Sequence, residues 1–163
     1  PDRVRETLFN WLGQDLSGWR CIDLFAGTGA LGFEAASRGA VNVLVVEQDP
    51  ALVEQLQRTQ AHLKADMVRV QRGDGVAALR HSGAAAWNLV LIDPPFDSAL
   101  FAPALAASAA TLAAGGWVYL EAPKAWQDAD LQGYGLQVHR HLKAGAVHAH
   151  LLRAIVTTTA GAA

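Results

Sequence analysis

This chain is nearly without cysteine, has no long apolar run and carries no excess of positive charge, and each absence closes off a class of function. Cys21 is the only cysteine in 163 residues, so there is no disulfide framework and no paired-cysteine zinc site. It stands in an apolar strand pattern and reads as a small core hydrophobe, as expected in a reducing cytoplasm. No apolar stretch approaches the roughly 20 residues that span a bilayer, and no signal or transit pattern is visible. Charged residues make up 17% of the chain, and 13 Lys+Arg against 15 Asp+Glu leave a net charge of −2. Binding nucleic acid through a broad basic face calls for a different balance. Ten of the 13 cations are arginines, the residue suited to phosphate forks and stacking.

What is present is a core-rich chain of modal domain size, 52% hydrophobic, which argues against disorder and for one compact domain over 1–156 with a loose Ala/Gly-rich tail over 157–163. The pattern predicts an opening helix over 2–13, then strand 20–25 and helix 30–38. Strand 42–47 and helix 50–64 follow, with Pro50 at the first helical position. Strand 67–71 leads to a short helix 75–80, and strand 88–92 to a helix 98–113 that Gly115-Gly116 stop. A fifth strand covers 117–121. Alternating units of this kind make a mostly parallel sheet with helices on both faces. The last two strands, 136–142 and 147–156, read as a hairpin turned at Ala144-Gly145. The five tryptophans fall at element ends or on apolar faces, where core or rim packing explains them.

Two motifs carry the chemistry. In the first, a strand ending at Asp23 runs through Phe25-Ala26-Gly27-Thr28-Gly29 into a helix. Gly27 and Gly29 allow close approach to a ligand, and the following helix offers free N–H groups. Gly27 to Gly32 is also G-x-G-x-x-G, which by itself leaves a dinucleotide and S-adenosylmethionine both open. Asp23 favours the second, because an anion sits badly beside a pyrophosphate and well beside a cationic ligand. In the second motif, Asp93-Pro94-Pro95-Phe96 closes the run Leu89-Val90-Leu91-Ile92. The prolines stiffen the turn and remove two N–H donors, leaving carbonyls free as acceptors. Asp93 then faces the crevice outside the strand ends, and Phe96 offers a flat surface for a base. Glu47, with Gln48 after it, ends the second strand, where an acid can accept ribose hydroxyls. Asp74, with Gly75 after it, follows the third strand, where a carboxylate can accept an adenine amino group. Acids at four successive strand ends (Asp23, Glu47, Asp74, Asp93) make a pattern that isolated solvated carboxylates do not explain. Glu121 borders the same crevice and reads as solvated, and Lys124 and Trp126 are candidates for the substrate mouth.

These motifs resemble the class I S-adenosylmethionine-dependent methyltransferases, in which Asp-x-Phe-x-Gly-x-Gly and a strand-end acid accompany (Asn/Asp)-Pro-Pro-(Tyr/Phe) in amino-methylating members. Within that class the chain is similar to the RsmD-type enzymes through Asp2-Arg3-Val4-Arg5-Glu6-Thr7-Leu8-Phe9-Asn10-Trp11-Leu12, through the stretch from Asp23 to Glu34, through Asp93 to Phe96, and through the Ala144-Gly145-x-Val147 turn. The resemblance implies a Rossmann-like α/β fold, a seven-stranded sheet closed by a C-terminal antiparallel hairpin. It implies S-adenosyl-L-methionine as cofactor, with methylation of a guanine N2 amine in 16S ribosomal RNA of the small subunit. Asp23, Phe25, Ala26, Gly27, Thr28, Gly29, Glu47, Gln48, Asp74, Gly75 and Asp93 would hold the cofactor, and Asp93, Pro94, Pro95 and Phe96 the amine. The family also places a short basic segment ahead of the Asp2–Leu12 stretch, whereas this chain begins at Pro1, so part of the RNA-binding charge is expected there.

Four histidines complete the reading. With Ala144-Gly145 as a two-residue loop, His141 pairs with His148 and His139 with His150, which places all four on one face and Val138, Leu142, Val147 and Leu151 on the other. Amino-group methylation needs no metal, and none is assigned. No Pro-Cys dipeptide supplies a nucleophile for ring-carbon methylation. The expected partner is 16S rRNA in a small-subunit particle, with no membrane, no obligate protein partner and a monomeric state. A DNA adenine-N6 or cytosine-N4 methyltransferase, a dinucleotide-dependent oxidoreductase and an inactive cofactor-binding assembly factor stay open.

Overall fold

A computed structural model describes residues 2–95 and 99–156. Phe96 and the predicted tail over 157–163 lie outside the described residues. The chain order is α1 (Asp2–Trp11), β1 (Arg20–Asp23), α2 (Ala30–Ser37), β2 (Asn42–Glu47), α3 (Pro50–Leu63), β3 (Val68–Arg72), α4 (Gly75–Arg80), β4 (Trp87–Ile92), α5 (Phe101–Ser108), β5 (Leu112–Ala122), α6 (Asp128–Leu131), β6 (Leu136–Ala144) and β7 (Val147–Ala154). The seven strands form one sheet in the order β3-β2-β1-β4-β5-β7-β6. The first five pair in parallel, and β7 enters antiparallel between β5 and β6. The order reverses beside β1, so the crevice for a ligand opens outside the carboxyl ends of β1 and β4.

Each sheet face buries its own core. On one side Leu8 and Phe9 of α1, Ala35 of α2 and Leu56 of α3 pack on Cys21, Val43, Val45, Leu89, Leu91, Tyr119 and Leu151. On the other, Leu79 of α4 and Leu105 of α5 pack on Ile22, Leu44, Val46, Val90, Ile92, Val118, Leu120 and Leu152. The central strands are therefore apolar on both faces, as strands buried on both sides require. Asp49 caps α3 by accepting from the Ala51 N–H at 2.9 Å, with Pro50 next to it in the first turn.

Three expectations are corrected. The fifth helix ends at Ser108 instead of continuing to 113. Ser108 Oγ bonds the Ala104 carbonyl and Thr111 Oγ bonds the Ser108 carbonyl, tightening the chain into a 3₁₀ turn. Leu112 then pairs with Trp87, so β5 starts before the two glycines. The hairpin turn is Gly145-Ala146, because Gly145 at φ 60 takes the first central position that favours glycine, and Ala144 pairs with Val147. That moves the register: His141 faces His150 and Lys143 faces His148. Finally, the pairing shifts between Val138 and Arg140, leaving His139 as the extra residue of a bulge. His139 packs 4.9 Å from the Trp117 ring, on the face opposite the other three histidines, while Val138 joins the core on the histidine side.

Between α4 and the end of β1 the approach is very close. A Cβ at Gly75 would lie 1.9 Å from the Leu24 carbonyl oxygen, a backbone atom that cannot step aside. Gly75→Ala is expected to destabilise the fold by about 1–3 kcal/mol, the cost of overpacking. Urea denaturation checks this, and a loss below about 0.5 kcal/mol would mean that this approach is not tight.

Candidate active site

The glycine loop is held by backbone bonds to both neighbouring strands. The Leu24 N–H reaches the Leu91 carbonyl and the Ala26 N–H the Val46 carbonyl, at 3.1 and 2.9 Å. Gly27 and Gly29 then adopt φ 56 and 83, and Gly29 caps α2. A Cβ at Gly29 would lie 2.6 Å from both Leu56 and Phe33, so glycine is needed there for space as well as conformation. Glu47 fastens the loop from β2. Its Oε1 accepts the Gly27 N–H and its Oε2 the Asp49 N–H, each at 2.9 Å. A carboxylate has further lone pairs, so these two bonds leave acceptor capacity for a ligand's hydroxyls.

Two adjoining hollows follow the loop. One of about 420 Å³ is lined by Phe25, Gly27, Glu47, Gln48, Gly75, Asp93, Pro94 and Pro95 among others. The second, about 310 Å³, is lined by Asp23, Phe25, Ala26, Gly27, Thr28 and Asp93 with the start of α2. Apart from Phe96, every residue expected in the site lines one of them except Gly29 and Asp74. Asp74 is exposed and lines a separate hollow with Arg69, His81 and Trp87. Its carboxylate accepts the Val76 N–H at 2.9 Å, because α4 begins at Gly75 and needs a cap.

The acids converge for a geometric reason. Cys21, Val45, Leu91 and Tyr119 all belong to the core beneath α1, α2 and α3. Two residues further along each strand stand Asp23, Glu47, Asp93 and Glu121, in phase with that same face. In-register pairing, Asp23 with Val45 and Leu91 with Tyr119, brings them side by side at the sheet's carboxyl end. No ion pair among the described residues involves any of the four; the pairs formed are Arg5–Asp2, Arg5–Glu34 and Arg38–Glu34.

Negative charge is costly there, and Asp23 and Asp93 respond by holding protons. Asp23 is 2% exposed, and its Oδ1 accepts a long 3.4 Å bond from the Phe25 N–H. Burial raises its carboxyl to about 7 against the lowering by that bond, and the charges of Glu121 and Glu47 add to the rise. Asp93 is pushed up to about 8, by burial first, then by the charge and hydrogen bond of Glu121 and by Asp23. Tyr119 donates its hydroxyl to Glu121 Oε1 at 2.6 Å and is wholly buried. Burial, then the neighbouring acids, drives that hydroxyl far above the ordinary tyrosine range.

Glu121 is therefore not a solvated strand-end acid: it joins Tyr119 to Asp93. A Tyr-x-Glu pair on one strand face was the available signal. His150 is the second residue whose role the sequence left open. Its Nδ1 donates to the Leu120 carbonyl at 3.0 Å, and its Nε2 accepts the Trp126 N–H at 2.9 Å. Those bonds select the neutral Nδ1–H tautomer, and burial depresses the imidazole to about 4. They pin the segment after β5, where Lys124 Nζ lies 4.2 Å from the centre of the Trp126 ring. Trp126 also packs 6.2 Å from Phe101, so its ring serves the wall of the fold.

The strand order, the glycine loop after β1 and the Asp-Pro-Pro turn after β4 define a class I methyltransferase fold. The family model described as conserved hypothetical protein 95 matches residues 1–153, and the chain belongs to that family, the RsmD-type methyltransferases. It is 46% identical over 99 residues to ribosomal RNA small subunit methyltransferase D of Escherichia coli, a match covering 61% of this chain and 50% of that protein. The protein of the same name from Haemophilus influenzae is 39% identical over 98 residues, 58% of this chain and 51% of that protein. The match thus spans about half the length of these curated relatives. The solved structure of an Escherichia coli candidate methyltransferase, yhhF, aligns with a TM-score of 0.81 and 34% identity, covering 96% of this chain and 88% of that one. A candidate methylase from Haemophilus influenzae aligns with a TM-score of 0.78 and 28% identity, over 95% of this chain and 98% of the other.

The raised carboxyl groups set a pH dependence. A folded-state value above the unfolded one stabilises the fold at low pH, and that contribution is lost as pH rises through the folded value. Asp23 should therefore cost the ligand-free protein stability between about pH 4 and pH 7. Asp23→Asn is expected to gain on the parent chain as pH rises across this window. Denaturant unfolding over a pH series checks it; a constant difference would contradict the buried-acid account.

Proposed function

We propose that this chain methylates the exocyclic N2 amine of a guanine in 16S ribosomal RNA of the small subunit, using S-adenosyl-L-methionine, and that residues 1–156 form the single domain responsible. The observation that carries this reading is the set of converging acids, none of which forms an ion pair among the described residues, beside a stiff Asp-Pro-Pro turn. One buried and three half-buried carboxylates outside any ion pair complement a ligand bearing an amino group and a sulfonium. Gly27 lines both hollows with no protein atom beyond its chain neighbours within 4 Å of where a Cβ would stand, which fits close approach of the same molecule. The names of the curated relatives support ribosomal RNA as the methyl acceptor.

When bound, the cofactor would supply a methyl carbon activated by a sulfonium, with a neutral thioether as the leaving group. The chain's own residues hold and orient. Asp23 faces the cationic end, and Glu47 accepts hydroxyls while keeping the glycine loop in place. Asp93 accepts one N–H of the amine and the Pro94 carbonyl the other, which directs the nitrogen lone pair toward the methyl carbon. Phe96 would stack on the guanine once it leaves its neighbours in the RNA. Of the candidate cofactor residues, Asp74 stands apart from both hollows and caps α4 through one oxygen, with its second oxygen left as an acceptor.

Labelled methyl transfer to undermethylated small subunits, to free RNA and to DNA, with the product nucleoside identified, tests the reading. N2-methylguanosine from the ribosomal substrate is expected. N6-methyladenine from DNA, or transfer to none of the three, would contradict it. Asp93→Ala should abolish transfer and leave cofactor affinity within a few-fold; loss of cofactor binding by calorimetry would move Asp93 out of the amine-holding role.

A further inference from the structure

We propose that Glu121, oriented by Tyr119, is the second carboxyl of a proton-accepting pair with Asp93, and that this pair removes the proton the acceptor amine must lose. The inference rests on the methyl-transfer reading above and extends it to a residue outside the Asp-Pro-Pro turn. Pairing of Ile92 with Leu120 places Asp93, just past the end of β4, beside Glu121, the last residue but one of β5, where their side chains hydrogen-bond. Two carboxyl groups joined in this way share one proton. The Tyr119 hydroxyl holds Glu121 Oε1 at 2.6 Å, and the same carboxyl hydrogen-bonds with Asp93. Tyr119 lies in the core and spends its single O–H on this bond, which fixes one geometry.

The surroundings favour proton uptake. Asp23 on β1 adds negative charge to Asp93 from one side, and Glu121 from the other. Glu47 on β2 stands beyond Asp23, tied to the glycine loop. On the far side of Glu121, β7 presents Ala149, which carries no charge. No lysine or arginine among the described residues pairs with any of these acids.

The step balances without an outside reagent. The amine nitrogen bonds the methyl carbon through its lone pair and becomes positively charged. Its N–H bond then breaks, the electron pair returning to nitrogen and the proton moving to an Asp93 carboxyl oxygen. The pair holds that proton against Glu121 until solvent takes it. Asp93 needs little intrinsic basicity, because the cationic amine is acidic. What it needs is a place for the proton that does not empty the site of its ligand-matching charge, and Glu121 supplies it.

Two substitutions should move the pair in opposite directions. Glu121→Gln removes the neighbouring negative charge, so Asp93 should lose its proton about 1 pH unit lower. Tyr119→Phe removes the donor that steadies the anion, so the last proton of the pair should leave at higher pH. The Asp93 carboxyl is followed by ¹³C NMR titration of the ligand-free protein, and the alkaline-rising limb of the methyl-transfer rate against pH is measured beside it. Opposite shifts in both readouts are expected. Shifts in the same direction, or a fall in rate with an unmoved midpoint and limb, would make Glu121 and Tyr119 structural supports only and overturn the inference. No transfer by the unsubstituted protein at any pH would overturn the underlying reading, and this inference with it.

Discussion

Uncompensated negative charge at one end of a parallel sheet is the constraint on which the rest of this structure depends. Asp23, Glu47, Asp93 and Glu121 end strands whose preceding residues are fully committed to the core, so none can turn away without moving a strand. Burial makes charge expensive at Asp23 and Asp93, and no arginine or lysine among the described residues forms an ion pair with any of the four. Three devices limit the cost. Backbone N–H groups at Gly27 and Asp49 bind Glu47, the Tyr119 hydroxyl binds Glu121, and Asp23 and Asp93 retain protons near neutral pH. All three suit a site whose missing positive charge arrives with a ligand.

The same constraint explains how rigid the surroundings are. Gly75 lets α4 approach the Leu24 carbonyl, Gly29 fits between Leu56 and Phe33, and two prolines stiffen the turn after Asp93. Behind β5, His150 fastens Leu120 to Trp126 as a neutral imidazole. These supports lie on both sides of the sheet, so the acids are positioned by strands and not by free loops. A site held this way can align an amine and a methyl carbon with little reorganisation, which is the main thing an already activated methyl donor asks of a protein.

Much of this was legible in the sequence, and the parts that were not share a physical cause. Strand runs, the glycine loop and the Asp-Pro-Pro turn are local patterns, and α4 and the first four strands lie within a residue or two of where periodicity puts them. Long-range pairing decided the remainder. The hairpin register turned on Gly145 taking the first central position of its loop, which moved His141 opposite His150, and on a bulge at His139 that no composition rule exposes. The α5 helix stopped early because Ser108 and Thr111 bonded back to the chain and Leu112 found a strand partner. Asp74, the third acid of the predicted row, caps α4 through one oxygen and lines a different hollow, a placement that only the folded helix shows. Glu121 looked solvated because its partners, Tyr119 and Asp93, meet it only once β4 and β5 are aligned. Family membership narrows the fold and class beyond what these contacts establish, while the choice of guanine N2 is drawn from the family resemblance and not from any contact in the crevice.

The most direct measurement is the proton count that accompanies cofactor binding. Calorimetry near neutral pH, repeated in buffers of different ionisation enthalpy, separates proton release from the intrinsic heat. If the acids hold protons in place of a missing cation, S-adenosylmethionine should displace them, and the uncharged thioether left after methyl transfer should displace fewer. Binding of S-adenosylmethionine without proton release, or with the same release as the neutral thioether, would contradict the account.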